Sequence, residues 1–314
     1  MNCRLFNTAK FNGYAVEYSP YFEHRLACAS ASNFGIIGNG RLWILNVSPN
    51  NVAVEKFYDT QDSIFDCAWS ELHENHIATC SGDGSVKLWD TTLMDFPIRN
   101  WSEHGKEVSS IHWNLVKKDV FLTASWDQTI KLWHPDQPHS IATFRDHAHC
   151  VYAAIWSPRK SDVFVSASGD QTAKLWDIRT APTAVQTLTG HKGEVLSVDW
   201  NKYSEFCVVT GSVDRTIKVW DIRQPGRIVN SLHGHEFAIR KVKCSPHDGS
   251  VVASASYDMT MRVWDINPPG GRVRFVDNNH SEFVVGLDFN MYIPGQVATC
   301  GWDEKIQVLD LPKS

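Results

Sequence analysis

The 314-residue sequence has no long apolar run. No stretch approaches the roughly 18 consecutive apolar residues that a membrane-spanning helix needs. The N-terminus, MNCRLFNTAKFNGY, also has no apolar segment of the kind found in secretory signals. We therefore expect neither a membrane span nor secretion.

The sequence also has no cysteine pattern that indicates a disulfide framework or a metal site. Its eight cysteines include no C-x-x-C pair, and several lie in strand-like runs such as IATCSGD and QVATCGWD. Cysteines in such runs are typical of buried free thiols in a reducing compartment.

Motifs that carry catalytic or metal chemistry are missing too. None of the 14 histidines forms H-x-x-x-H or H-E-x-x-H, and there is no G-x-S-x-G, Walker A or G-x-G-x-x-G sequence. Net charge is −5, with 30 basic and 35 acidic residues, which argues against a broad basic surface, and local basic spots such as Arg240-Lys241-Val242-Lys243 are explained equally well by alternation on a strand. We predict no enzyme activity, no metal, no cofactor and no nucleic-acid partner.

What the sequence does have is a repeat. The stretch Val163–Asp177, VFVSASGDQTAKLWD, recurs with its Asp at spacings of 43 to 45 residues, and six residues after five of these Asp residues comes a Trp. The repeated Asp residues are Asp83, Asp127, Asp170, Asp214, Asp258 and Asp303. A period of roughly 40–45 residues is the period of a propeller blade. Seven such units account for residues 1–314 as a single domain.

A His lies 23 residues before the Asp in five copies. Together with the Trp-Asp step, this pattern resembles the WD40 repeat family. That resemblance implies an all-β, seven-bladed propeller in which His, Asp, Ser or Thr, and Trp form one buried network per blade. The implied pairs are His104 with Asp127, His147 with Asp170, His191 with Asp214, His235 with Asp258, and His280 with Asp303. Blade two has Thr60 in place of the His and blade three has Trp133-His134 in place of Trp-Asp, so we expect both to be held less firmly.

The two ends of the chain are irregular. The last copy ends at IQVLDLPKS, directly after its third strand, so its fourth strand is missing there. We expect Cys3–Asn7 to supply that strand and close the ring in blade seven. Blade one carries an extra stretch, Asn33–Asn39, where other blades carry the buried Asp, and we expect it to lack the polar network.

In WD40-type blades, three residues face the upper opening. Two of them flank the first apolar residue of the inner strand, and the third precedes the buried Asp. These positions hold many aromatic residues here, and acidic residues lie nearby in the repeat register. A cluster of exposed aromatic side chains favours a protein- or peptide-binding face, and the acidic side suits a basic ligand group. The predicted binding residues are Tyr14, Asp62, Phe65, Glu107, Trp126, Tyr152, Glu194, Tyr257, Phe283 and Trp302.

A narrower resemblance lies in the stretches NGYAVEYSP, RLACASASNFGIIGNGRLWIL, IFDCAWSE, SWDQTIKLW and AIRKVKCSPH. They are similar to the peroxisomal import receptors for type-2 targeting signals. The resemblance implies a cytosolic receptor that binds an N-terminal, helical nonapeptide led by Arg on matrix enzymes such as thiolase. It further implies a co-receptor, a peroxisomal docking complex and cycling between cytosol and peroxisome. The alternative is a general WD40 scaffold, such as a ubiquitin-ligase substrate adaptor or a histone-binding subunit.

Overall fold

The computed structural model describes residues 2–93, 96–180, 182–224 and 226–312. Its strands form seven four-stranded antiparallel sheets, the blades, which pack side by side in a ring. The predicted seven-bladed all-β propeller is therefore confirmed.

The strands follow one another in chain order. The first, β1, is Cys3–Asn7. Blade one contains β2 (Phe11–Tyr18), β3 (Arg25–Ser32), β4 (Gly40–Val47) and β5 (Val52–Thr60). Blade two contains β6 (Ile64–Trp69), β7 (His76–Ser81), β8 (Ser85–Asp90) and β9 (Arg99–Ser102). Blade three contains β10 (Val108–Trp113), β11 (Phe121–Ser125), β12 (Ile130–Trp133) and β13 (Ala142–Phe144).

The remaining blades repeat the same order from the channel outward. Blade four contains β14 (Val151–Trp156), β15 (Val163–Ser168), β16 (Thr172–Asp177) and β17 (Gln186–Thr189). Blade five contains β18 (Val195–Trp200), β19 (Cys207–Ser212), β20 (Thr216–Asp221) and β21 (Ile228–His233). Blade six contains β22 (Ile239–Cys244), β23 (Val251–Ser256), β24 (Met261–Asp265) and β25 (Arg272–Asp277). Blade seven contains β26 (Val284–Phe289), β27 (Gln296–Gly301) and β28 (Lys305–Asp310), with β1 as its fourth strand.

The ring closes as expected, because β1 pairs antiparallel with β28 from Cys3 opposite Leu309 to Asn7 opposite Lys305. The buried side chain of Arg4 also forms an ion pair with Asp310. Both strands thereby satisfy backbone groups that an open edge would expose.

The core lies between neighbouring blades. Strand residues alternate between the two faces of each sheet, and nearly all apolar ones are buried against the next blade. The largest fully buried side chains are seven tryptophans, namely Trp89, Trp133, Trp156, Trp176, Trp200, Trp220 and Trp264. Each of the seven interfaces between neighbouring blades is therefore filled by a similar layer of apolar side chains.

Polar side chains on the inner strands link each blade to the next. Glu17 accepts a hydrogen bond from the Trp69 backbone N–H at 2.7 Å, and Asp199 accepts one from Cys244 at 2.8 Å. Asp288 accepts one from Tyr18 at 2.9 Å and forms an ion pair with Lys243 at 3.1 Å. These side chains satisfy inner-strand N–H groups that face the channel and have no strand partner there.

The eight cysteines are free, and five of them are buried. Helical structure within the described residues is limited to a three-residue 3-10 turn, Asn33–Gly35. The described part of the chain therefore holds no helix of the length and apolarity needed to cross a bilayer.

Candidate functional site

The upper face, defined as the end of the propeller at which the inner strands begin, is shaped by seven β-bulges. Each inner strand has one extra residue near its upper end, so that two of its residues oppose one on the next strand. A bulge redirects its extra side chain out of the regular alternation. The extra residues are Tyr14, Phe65, Ser109, Tyr152, Leu196, Arg240 and Val285. Four of them, Tyr14, Phe65, Tyr152 and Arg240, are only half-buried.

A second position per blade is brought beside the first by a backbone hydrogen bond. The residue before the buried Asp donates its N–H to the carbonyl just before the inner strand. Trp126 donates to Glu107 at 3.0 Å, Tyr257 to Ala238 at 3.0 Å, and Trp302 to Phe283 at 3.0 Å. This repeated bond explains why side chains about 20 residues apart in sequence meet on the upper face.

The aromatic residues predicted for this face form one continuous series of ring contacts, which we call the aromatic arc. Its ring centroids are separated by 6.4 Å (Tyr152–Trp126), 6.4 Å (Trp126–Phe65), 5.1 Å (Phe65–Tyr14), 6.0 Å (Tyr14–Trp302), 5.2 Å (Trp302–Phe283) and 4.7 Å (Phe283–Tyr257). The arc runs through blades four, three, two, one, seven and six. In blade five the equivalent positions hold Leu196 and Val213, which leaves one gap.

The irregular loop of blade one extends the arc with a residue that the sequence analysis missed. The Phe34 ring lies 5.5 Å from that of Trp302, and Asn12 holds the two together. The Asn12 side chain donates to the Trp302 carbonyl at 2.6 Å and accepts from the Phe34 N–H at 2.8 Å. Gly35, at φ +70°, follows directly, and a Cβ there would lie 2.7 Å from the Tyr14 hydroxyl. The only signal in the sequence was that Phe34 begins the apolar FGIIG stretch of the irregular loop.

The three acidic residues predicted for the face lie on three different blades. Asp62 lies beside Phe65, since a Cβ on Gly82 would be 3.0 Å from Asp62 Oδ1 and 3.4 Å from the Phe65 ring. Glu107 lies on the next blade and its carboxylate forms no hydrogen bond or ion pair with the described residues. Glu194 is on blade five, where it accepts a hydrogen bond from the Tyr152 hydroxyl at 2.8 Å. We call Asp62 and Glu107, on the neighbouring blades two and three, the acidic side. Glu194 lies two blades away from Glu107, on blade five.

Two tyrosines of the upper face, Tyr14 and Tyr152, remain protonated at neutral pH. Burial raises the pKa of Tyr14, and burial together with the hydrogen bond to Glu194 raises the pKa of Tyr152. Their hydroxyls therefore act as donors: Tyr14 donates to the Phe34 carbonyl at 2.6 Å and Tyr152 to Glu194. Neither is poised for acid–base chemistry.

The predicted His and Asp residues of blades three to seven lie together in pairs. The His Nδ1 to Asp oxygen distances are 2.9 Å (His104–Asp127), 2.7 Å (His147–Asp170), 2.8 Å (His191–Asp214), 2.7 Å (His235–Asp258) and 2.9 Å (His280–Asp303). In every pair the His Nε2 contacts a Ser or Thr hydroxyl of the second strand, at 2.6 to 3.0 Å. In blades three to six a Trp indole donates to the same hydroxyl.

Blades one and two lack this network, and blade three does not. In blade two, Thr60 bonds to the Asp62 carbonyl and not to Asp83, whose side chain is 42% exposed. In blade three the network is complete, so the expectation of a looser blade has no support in its hydrogen bonds. His134 takes over the turn role of the missing Asp by accepting the Asp136 N–H at 3.1 Å.

The geometry suits binding and offers little for catalysis. Among the described residues, no group of three or more His, Cys, Asp or Glu side chains is placed to hold a metal ion. The His and Asp residues at the repeat positions of blades three to seven are taken up by the buried networks. What remains accessible is the aromatic arc with its charged neighbours.

Comparison with known sequences agrees with this architecture. The profile of the WD domain, G-beta repeat (WD40) matches residues 52–90, 96–134, 138–177, 182–221 and 226–265, which is more than half of the chain. The chain belongs to the WD40 repeat family. The matched segments run from β5, the outer strand of blade one, to β24 of blade six, and the structure adds the rest of blade one, β25 and blade seven.

Several curated relatives are similar to part of the chain. It is 53% identical over 132 residues to the peroxisomal targeting signal 2 receptor of Dictyostelium discoideum, covering 41% of this chain and 42% of that protein. It is 48% identical over 137 residues to peroxisome biogenesis protein 7 of Arabidopsis thaliana, covering 42% and 43%. It is 44% identical over 145 residues to the human peroxisomal targeting signal 2 receptor, covering 46% and 45%. The match thus spans less than half the length of each of these relatives.

Proposed function

We propose that this protein is a receptor for type-2 peroxisomal targeting signals. It binds the N-terminal, amphipathic, helical nonapeptide of matrix enzymes such as thiolase on its upper face, as one propeller domain made from residues 1–314. A co-receptor completes the site, and the complex moves from the cytosol to the peroxisomal docking complex. The names of the relatives support the class of ligand, and the aromatic arc beside the unpaired Glu107 is the observation that carries the proposal.

The aromatic arc provides the apolar part of such a site. Its members are in contact with one another but remain partly open to solvent, with Trp126 36% and Phe34 49% exposed. Large aromatic side chains in a rigid cluster are the residues that contribute most to the binding energy of interfaces. An amphipathic helix can lay its apolar face on such a surface. The arc thus accounts for affinity without any enzymatic group.

The acidic side provides the polar part. The Glu107 side chain has no partner among the described residues and is half-buried, and the Glu107 carbonyl accepts the N–H of Trp126 at 3.0 Å. An Arg at the start of the ligand would form charge-assisted hydrogen bonds there that are stronger than those of a fully exposed ion pair. Asp62, beside Phe65, adds a second negative charge on the neighbouring blade.

Reversing the charge of Glu107 tests this proposal. Glu107→Lys places a like charge opposite the ligand Arg, and we expect the loss of several kcal/mol, which abolishes measurable binding of a signal nonapeptide. Binding is measured by fluorescence anisotropy with the purified full chain, alone and with the co-receptor. An Arg→Glu version of the peptide should regain part of the affinity with the Glu107→Lys variant only.

A matched control is available at the opposite end of blade two. Glu74 is exposed in the turn between β6 and β7, and Glu74→Lys makes the same change of charge without touching the upper face. It should leave peptide affinity unchanged. Wild-type affinity in the Glu107→Lys variant, at an unchanged melting temperature, would show that the basic ligand group does not bind at this acidic side.

A further inference from the structure

Arg240 is the one charged residue among the seven bulge residues of the upper face. It follows Ile239 on β22 and is the extra residue between Ile239 and Lys241, as Phe65 and Tyr152 are on their own strands. The bulge places it in the same ring of positions as the aromatic residues, at the mouth of the channel. Its positive charge lowers the pKa of both Tyr14 and Tyr152, although burial dominates and raises both.

The guanidinium of Arg240 has no partner within the described residues. No hydrogen bond, ion pair or ring contact involves it there. Two other cations of blade six are engaged: Lys243 pairs with Asp288 at 3.1 Å, and Arg274 pairs with Asp265 at 2.8 Å. Glu194, the acidic residue on the adjacent blade, is held by Tyr152. A half-buried Arg without a partner retains its capacity for five N–H hydrogen bonds.

Arg240 and the acidic side lie on opposite parts of the ring. Glu107 is on blade three and Arg240 on blade six, which is the largest separation that seven blades allow. The upper face therefore has a negative side and a positive side with aromatic residues between them. A ligand that matches it should carry charges of opposite sign at its two ends.

We propose that Arg240 binds the negative, C-terminal end of the segment that docks on the upper face, so that an Arg-led helix lies across the mouth from blade three to blade six. This inference rests on the proposed function. The last four carbonyls of a helix have no partner within the helix, and its C-terminus carries a partial negative charge. An Arg side chain can donate to those carbonyls. The positive N-terminal end would lie at Glu107, so both ends favour the same orientation.

The test compares two forms of one signal nonapeptide. One form ends in a free carboxylate, which places a full negative charge at the end of the helix, and the other ends in an amide. Their affinities are measured by competition against a labelled signal peptide, with the full-length wild-type protein, Arg240→Gln and Arg240→Lys. We expect wild type to prefer the free acid by about three- to tenfold, the size expected for a partly exposed charge-assisted contact.

The ratio of the free-acid affinity to the amide affinity should fall to about one in Arg240→Gln. It should be partly kept in Arg240→Lys, because lysine retains the charge but not the planar fork. Lys192→Gln is the matched control. Lys192 is exposed on blade five beside the Asp214 loop, outside the ring of bulge residues, and its loss changes the net charge equally. This variant should keep the wild-type preference.

A photo-cross-linking experiment gives an independent measurement of orientation. A benzophenone amino acid at the last position of the peptide should label blade six, and one at the first position should label blades two and three. Equal preference for acid and amide in wild type, or an unchanged preference in Arg240→Gln, overturns the inference, as does reversed labelling. If Glu107→Lys still abolishes binding in that case, the proposed function stands without it. If no Arg-led peptide binds wild type, with or without the co-receptor, both fail.

Discussion

Replacing Asp214 with alanine is the most direct test of the buried networks. The carboxylate accepts hydrogen bonds from His191 Nδ1 at 2.8 Å, the Lys192 N–H at 2.9 Å, the Thr216 N–H at 3.0 Å and the Thr216 hydroxyl at 2.6 Å. The His191 side chain is only 2% exposed, so water cannot replace the lost acceptor there. The exposed Lys192 N–H can turn to water instead.

The expected loss follows from these contacts. A buried donor left without a partner costs about 1–3 kcal/mol, and the partly accessible donors cost less, so we expect Asp214→Ala to lose about 3 kcal/mol of unfolding free energy. With an unfolding entropy of about 2.1 cal/mol/K per residue, a chain of 314 residues should then melt about 4–5 °C lower. Urea unfolding followed by tryptophan fluorescence, with a thermal melt, measures both quantities.

The same repeat position in blade two supplies the control. Asp83 accepts the Ser85 N–H at 2.9 Å and has Lys87 at 3.8 Å, but it has no His partner. Asp83→Ala should cost less than about 1 kcal/mol, because an exposed ion pair contributes little. Equal losses in Asp83→Ala and Asp214→Ala would refute the reasoning, since the His network would then contribute nothing.

Three further predictions concern stability. Burial raises the pKa of Asp214, but the hydrogen bonds that it accepts lower it further, to well below its usual value. The Asp214 carboxylate therefore stabilises the folded state above about pH 4, and this contribution is lost as the pH falls below that value. The difference in unfolding free energy between wild type and Asp214→Ala should then shrink in acid. A difference that stays constant would contradict this. Deleting Cys3–Asn7 should lower the melting temperature and produce oligomers in light scattering, whereas an unchanged monomer would show that β1 is dispensable. Asp288→Ala should cost about 2–4 kcal/mol by leaving Lys243 without its counterion, and adding Lys243→Met should restore part of the loss in urea unfolding; no recovery would argue against the ion pair.

Much of the fold could be predicted from the sequence because the repeat carries it. The recurring Asp and the alternating pattern determine the register of each blade, and a register error of one residue would turn every apolar side chain toward water. The missing fourth strand at IQVLDLPKS pointed to β1 in the same way. Family resemblance then indicated three positions per blade for the upper opening, and one of the three, the residue after the first apolar residue of the inner strand, coincides with the bulge.

The details of the upper face were less accessible. Phe34 joins the aromatic arc through Asn12, a contact that depends on one irregular loop and follows no repeat. The sequence places Arg240 directly after the first apolar residue of its inner strand, a position that faces the upper opening in such blades. Its lack of a partner, however, depends on which side chains the closed ring brings near it. Pairing of this kind is decided by residues from blades that are distant in sequence, and a local pattern contains no information about it.

Pairing between β1 and β28 has a consequence for how the protein is made. Strand β1 leaves the ribosome about 300 residues before β28, the strand with which it pairs. Such distant pairing slows folding, because most of the chain must be ordered before the contact can form. Until then β1 has no sheet to join and blade seven has an open edge, a state that favours association with other chains. We therefore expect the nascent chain to need protection from aggregation while the residues between β1 and β28 are synthesised.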